Sequence, residues 1–392
     1  MPLGLIGVGR QACTLFERKI MKFDSLESLR GVAALLVALS HSSFLYGQQH
    51  LFISNAGVFV DFFFVLSGFV MAFAYFDKVR HGMPFTKFIL LRFGRLYPLH
   101  LLTLLVWVPY VLLKGYAFHR LHMGEVDPFV KNSVLRFVYN IFLINSLGVD
   151  TDLGWNAPAW SISVEFYTYI VFFGFIFVCR SIYKPFFALA LAMLSYAALF
   201  YVTRDDPHTM LYTFQYGIFR CMGGFFLGVF VYHLSRNTQV QWSVKVASAI
   251  EIILLICTSI FVLSSHHKFM QPATFVLFAV IVYVLSVQNI GVVSRFLKLK
   301  WMVLLGTLSY SIYMIHMLVF LLAANVWQYV LKLPVSSMTA RHGGTPFKVI
   351  DTPFADVINL GLLALVILIS YFVYHHFESF FRDYFRRLAQ RR

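Results

Sequence analysis

Ten apolar runs, each long enough to cross about 30 Å of hydrocarbon as a helix, constrain this chain more than any other feature. They lie at about 29–47, 57–76, 96–114, 157–179, 186–203, 214–234, 246–264, 272–289, 302–326 and 357–377. The composition agrees: 59% of residues are hydrophobic and 12% charged, far from the balance of soluble domains. The expected fold is therefore all-α, a polytopic integral membrane protein of about ten transmembrane helices. A further run near 135–147 is too short to span and reads as an interfacial or re-entrant segment.

A net charge of +15 raises the question of nucleic acid. The basic residues, however, are scattered through short loops between apolar runs, so nucleic acid is set aside. With the N-terminus inside, 22 Lys and Arg fall on the cytoplasmic side and nine on the other, with Arg220 inside a run. That bias places both termini in the cytoplasm. The first twenty residues lack the apolar core and cleavage site of a signal peptide, and Met21 would itself make a plausible start. The chain divides into an N-terminal extension, 1–21, one membrane domain, 22–382, and a basic tail, 383–392. Cys13, Cys179, Cys221 and Cys257 have no paired spacing, and the histidines show no HExxH pattern, so no metal is expected.

Chemistry must then come from polar groups set into the apolar runs. In LRGVAALLVALSHS, Arg30 and His41 are eleven residues apart. At about 100° and 1.5 Å per residue this is close to three turns and roughly 16 Å, so both lie on one helix face. A histidine in hydrocarbon is costly, which marks it as a functional group facing a cavity. In RFGRLYP, Arg92 and Arg95 lie one turn apart, where their guanidinium groups can act together on a phosphate. Pro98 sits in the first turn of the third run.

Two carboxylates, Asp61 in GVFVDFFFVLSGF and Glu165 in WNAPAWSISVEFY, fall early in runs entering from the outer side. They can share a depth with His41, and a carboxylate beside an imidazole fixes its tautomer and raises its basicity. The alternative for Asp61 is a structural role, accepting backbone or hydroxyl hydrogen bonds. Arg220 can bind a substrate anion or pair with Glu165 or Asp61. Ser67, with Gly68, suits close helix approach. Trp160 lies beside the Glu165 segment as a substrate or structural residue, His316 in LSYSIYMIH is structural or catalytic, and Glu378 pairs with nearby Arg382.

These motifs, in this order, resemble those of the membrane acyltransferase-3 family over roughly residues 22–382: FDSLESLRG with R-x10-H, GVFVDFFFVLSGF, RxxR, WSISVEFY, LSYSIYMIH and HHFESFFR. The proline the family often carries after the final glutamate is absent, Ser379 and Phe380 standing there. The resemblance implies transfer of an acyl group, usually acetyl, from cytoplasmic acyl-CoA to a hydroxyl, with the R-x10-H pair essential and RxxR involved with the donor. The acceptor would be a surface polysaccharide, lipopolysaccharide, lipid-linked glycan or secreted small molecule, and the site a bacterial inner membrane.

The expected mechanism makes His41 the general base on the acceptor hydroxyl. Glu165, or else Asp61, orients its imidazole, and Arg30, Arg92 and Arg95 hold the phosphates of acetyl-CoA. In a variant His41 is itself acylated in transit. The rival class is a proton- or anion-coupled transporter using the same groups, against which stands the lack of an internal repeat.

Overall fold

The computed structural model describes residues 23–391 apart from 45–50, 125, 151, 179–183, 207–208, 339–346 and 351. The segment 1–21, with Cys13, and Cys179 lie outside the described residues. Among those described, nine helices are long and apolar enough to cross a membrane, in place of the ten expected. The difference is the first run. It forms α1, Asp24–Ser40, which is 17 residues long, because the polar HSS sequence closes it. His41 N–H donates to the Ala38 carbonyl at 3.0 Å, Ser42 N–H to that of Leu39 at 3.0 Å, and Ser42 Oγ to Asn359 Oδ1 at 2.5 Å. His41 therefore terminates the helix, whereas the sequence places it deep inside one.

The long helices follow as α2 Phe59–Arg80, α3 Phe85–Leu121, then the short α4 Val134–Ile141, and α5 Ala159–Val178, α6 Lys184–Val202, α7 Gly217–Arg236, α8 Val244–Ser264, α9 Gln271–Val287 and α10 Lys300–Asn325. The last, α11, begins at Ala355–Val373 and continues through a π-helical turn, Tyr374–Glu378, to Gln390. Residues 383–390 of the basic tail are helical, continuing this helix. A three-residue antiparallel pairing, Ser336–Met338 with Phe347–Val349, follows α10.

One local reading changes for a physical reason. The third run starts eleven residues earlier, at Phe85, so Pro98 and Pro109 both lie in the helix interior. Membrane helices tolerate this where neighbours and ordered groups re-satisfy the freed carbonyl. In the first turn of α1, Ser25 Oγ donates to the Ser294 carbonyl at 3.2 Å. The run near 135–147 becomes α4, an eight-residue helix too short to cross, capped by Ser133. It presents Val134, Leu135 and Val138 outward, while Asn140 on the inner side is buried. Arg136 grips Asp150 through Nε (2.6 Å) and Nη2 (2.9 Å), and this hydrogen bonding pushes the guanidinium pKa further up.

The centre of the bundle is aromatic. Phe62, Phe64, Phe69, Phe172, Phe225 and Phe226 are fully buried in one cluster drawn from α2, α5 and α7. Hydrocarbon supplies little drive between helices, so close backbone approach must do so. At the α2–α7 crossing, a Cβ on Gly68 would overlap the Phe225 carbonyl, and one on Gly228 that of Val65. Gly68→Ala is expected to destabilise the protein by about 1–3 kcal/mol, read as a lowered unfolding midpoint in detergent. An unchanged midpoint would show that the crossing tolerates a side chain. Gly31 of α1 is similarly pressed against Leu305 and Gly306 of α10.

Candidate active site

Polar side chains at spanning depth collect around two neighbouring cavities. The first is lined by Arg30 of α1, Ser67 of α2, Arg92 and Arg95 of α3, Glu165 and Tyr169 of α5, and Ser309 and Tyr310 of α10. The three arginines foreseen from sequence therefore do come together. Two of them are already committed to the protein. Arg30 donates through Nε to Ser309 Oγ (2.7 Å) and through Nη2 to Glu27 (2.6 Å) and the Gly306 carbonyl (3.1 Å), tying α1 to α10. Arg95 pairs with Glu378, whose second oxygen accepts from Ser311 Oγ at 2.7 Å. Glu378 thus binds Arg95 rather than Arg382, because the π-turn brings the end of α11 back against α3.

Arg92 differs from both. Its guanidinium lies 4.5 Å from the Tyr75 ring centre and contacts the Tyr75 hydroxyl and, at 3.3 Å, Met71 Sδ. Its buried Nε has no hydrogen-bond partner among the described residues. All of these contacts are neutral, so among the described residues Arg92 has no carboxylate in direct contact and its charge faces the cavity. Glu165, the carboxylate lining the same cavity, accepts from Ser67 Oγ and from Tyr169 Oη at 2.5 Å. Ser67 is thus a carboxylate partner, and the close-approach role falls to Gly68.

The second cavity is lined by His41, Trp160, Arg220 and Tyr313 together with Leu153, Leu211 and Thr213. His41 keeps an open face onto it. Its Nδ1 lies 2.8 Å from the Val37 carbonyl. A carbonyl only accepts, so Nδ1 carries the proton and Nε2 keeps its lone pair. That is the tautomer a general base needs, fixed by α1's own backbone. Neither carboxylate expected to orient the imidazole bonds to it: Glu165 faces the other cavity, and Asp61 is taken by Arg220. Arg30 and His41 line different cavities, set apart by the three turns of α1 between them.

Asp61 and Arg220, 0% and 2% exposed, form a two-pronged ion pair with Nε–Oδ1 and Nη2–Oδ2 both at 2.7 Å. The Arg220 guanidinium lies 5.2 Å from the Trp160 ring centre. His316, fully buried on α10, stands with its ring 5.1 Å from that of His41; its Nδ1 is 3.2 Å from the Ile312 carbonyl and its Nε2 has no partner among the described residues. The sequence reading misses Tyr75, Ser309, Tyr310 and Tyr313. The last two stand at three-residue spacing with His316, and that polar stripe in an apolar helix is the signal that would have found them.

Residues 23–375 match the model of a family described as an acyltransferase domain. Relatives include the peptidoglycan O-acetyltransferase OatA of Listeria monocytogenes, 24% identical over 372 residues, which cover 87% of this chain and 56% of that protein. The acyltransferase MdmB of Streptomyces mycarofaciens is 34% identical over 164 residues, 39% of either chain. Protein 2 in the picA locus of Rhizobium radiobacter is 40% identical over 90 residues, 23% of this chain and 46% of that one. The chain spans about half, or less, of the length of these curated relatives. No solved structure matches it. With a match reaching from α1 into the last helix, the protein belongs to the acyltransferase-3 family.

Proposed function

We propose that the protein is a membrane O-acyltransferase that takes an acyl group, acetyl in the first instance, from acyl-CoA at the arginine cavity. It passes that group to a hydroxyl presented at the His41 cavity. The observation carrying this reading is the adjacency of an arginine-lined cavity to one holding a base whose Nε2 keeps its lone pair. Arg92 is the phosphate-binding charge of the donor site, with Arg30 and Arg95 held by internal partners as its frame. The arginine end would face the cytoplasm of a bacterium, across its inner membrane, with the acceptor reaching His41 from the far side. OatA, named for peptidoglycan O-acetylation, supports a glycan as the acceptor class.

In the reaction His41 Nε2 takes the proton of the acceptor hydroxyl as its oxygen attacks the thioester carbonyl. The new O–C bond forms, the C–S bond breaks, and the CoA thiolate leaves with the proton His41 has taken. The test is release of free CoA thiol from acetyl-CoA by purified protein supplied with a glycan acceptor, with one acyl mass gained by the acceptor. Binding of acetyl-CoA without thiol release, accompanied by its movement across a vesicle membrane, would instead establish a transporter.

Arg92→Lys keeps the charge but loses the planar fork that grips phosphate. It is expected to raise the KM for acetyl-CoA about tenfold with kcat little changed, as measured by thiol release. A change confined to kcat would remove Arg92 from donor binding.

A further inference from the structure

The two cavities share two lining residues among those described, Val60 and Tyr313. A thioester reaching from the arginine cavity toward His41 must pass this wall. When a hydroxyl attacks it, negative charge develops on the carbonyl oxygen, and a donor fixed at that point lowers the barrier. The Val60 isopropyl group cannot donate. Tyr313 can.

We infer that Tyr313 donates the hydrogen bond that stabilises the acyl carbonyl oxygen during transfer. Its phenol oxygen accepts from Ser161 Oγ at 3.0 Å, and its own proton has no acceptor among the described residues. The other tyrosines lining the arginine cavity are committed: Tyr169 donates to Glu165 at 2.5 Å and Tyr310 to the Leu96 carbonyl at 2.5 Å. The Tyr313 ring is 6% exposed, met edge-on by Phe63 with centres 6.0 Å apart and flanked by the tilted ring of His316 at 5.8 Å. A donor held this way needs no reorganisation when charge appears. The bond received from Ser161 polarises the phenol and strengthens its O–H as a donor.

The inference rests on the acyltransferase reading. The acceptor oxygen bonds to the carbonyl carbon while its proton moves to His41 Nε2. The carbonyl π pair shifts onto oxygen and is held by the Tyr313 O–H. Collapse of that oxyanion expels the thiolate, which takes the proton from His41. Tyr313 keeps its own proton throughout.

The test uses full-length protein carrying His41→Ala, in which transfer is blocked, bound to acetyl-CoA labelled with ¹³C at the carbonyl. Infrared difference spectra should show the bound carbonyl stretch at lower frequency than in water-free solvent, and that shift should vanish when Tyr313→Phe is added. In the His41 background Tyr313→Phe should lower kcat about 10²-fold, the cost typical of losing one such donor, with the KM for acetyl-CoA within about twofold. Ser161→Ala should act in the same sense, more weakly. Tyr313→Phe preserves the ring and its packing, so its unfolding midpoint should match wild type. Bound acetyl-CoA with the same carbonyl frequency in both proteins, or full kcat in Tyr313→Phe, would overturn the inference while leaving the donor site intact. Absence of acetyl-CoA binding to either protein would overturn the acyltransferase reading and this one with it.

Discussion

His41→Ala is expected to reduce acyl transfer by about 10²–10⁴-fold, the usual contribution of a positioned general base, with membrane levels and acetyl-CoA affinity retained. The expectation follows from where the side chain stands. His41 ends α1, lines a cavity and spends its Nδ1 proton on the Val37 carbonyl, so Nε2 keeps its lone pair. The arginines that would hold the donor line the other cavity, so deleting the imidazole leaves donor binding in place. Mass spectrometry of surface glycans from cells expressing wild type, His41→Ala or neither measures the effect directly. One acyl increment, present with wild type and lost with the variant at equal membrane levels, is the expected pattern. Normal acylation by His41→Ala would remove His41 from the mechanism, and no increment with any of the three would direct attention to acceptors outside the glycan fraction.

Elements could be read from the sequence where one helix decides the outcome. Apolar length locates the membrane helices, and the turn spacing of Arg92 and Arg95 puts both on one cavity. What the sequence does not carry is which neighbour answers each polar group. Arg220 has two plausible carboxylates, Asp61 and Glu165, and only the crossing of α2 and α7 at Gly68 and Gly228 selects the first. Glu378 is four residues from Arg382, yet its partner is Arg95, 283 positions away in sequence.

The eleven-residue spacing of Arg30 and His41 is a helical relation that fixes their facing but not the cavity each one lines. Both side chains reach α10, Arg30 at Ser309 and His41 beside His316, and the three turns between them set the two at different cavities. The group that orients His41 is a backbone carbonyl rather than a carboxylate, a partner every residue offers and no motif marks. No motif marks Tyr313 either: a tyrosine in a membrane helix is ordinary until the wall it forms is known.

Removing one member of the Asp61–Arg220 pair should produce the largest loss of stability in the molecule. Asp61→Ala would leave a guanidinium 2% exposed with no counter-charge, a change that costs about 3–5 kcal/mol in buried pairs. Arg220→Ala should do the same from the other side. If the pair is structural, deleting both charges with apolar residues of similar size, as in Asp61→Leu with Arg220→Met, should recover most of the loss. The penalty comes from the unpaired charge rather than from the missing attraction. Unfolding midpoints in detergent for the two single variants and the double variant form the cycle that tests this. Single variants as stable as wild type would mean that the charges are compensated by water reaching them through the His41 cavity. A stable double variant that has lost acyl transfer, with acetyl-CoA still bound, would assign Arg220 to the acceptor, since Trp160, His41 and Arg220 would then act on one substrate in one cavity. A stable double variant that transfers normally would leave the pair as the bolt between α2 and α7, holding the wall of the cavity in which His41 works.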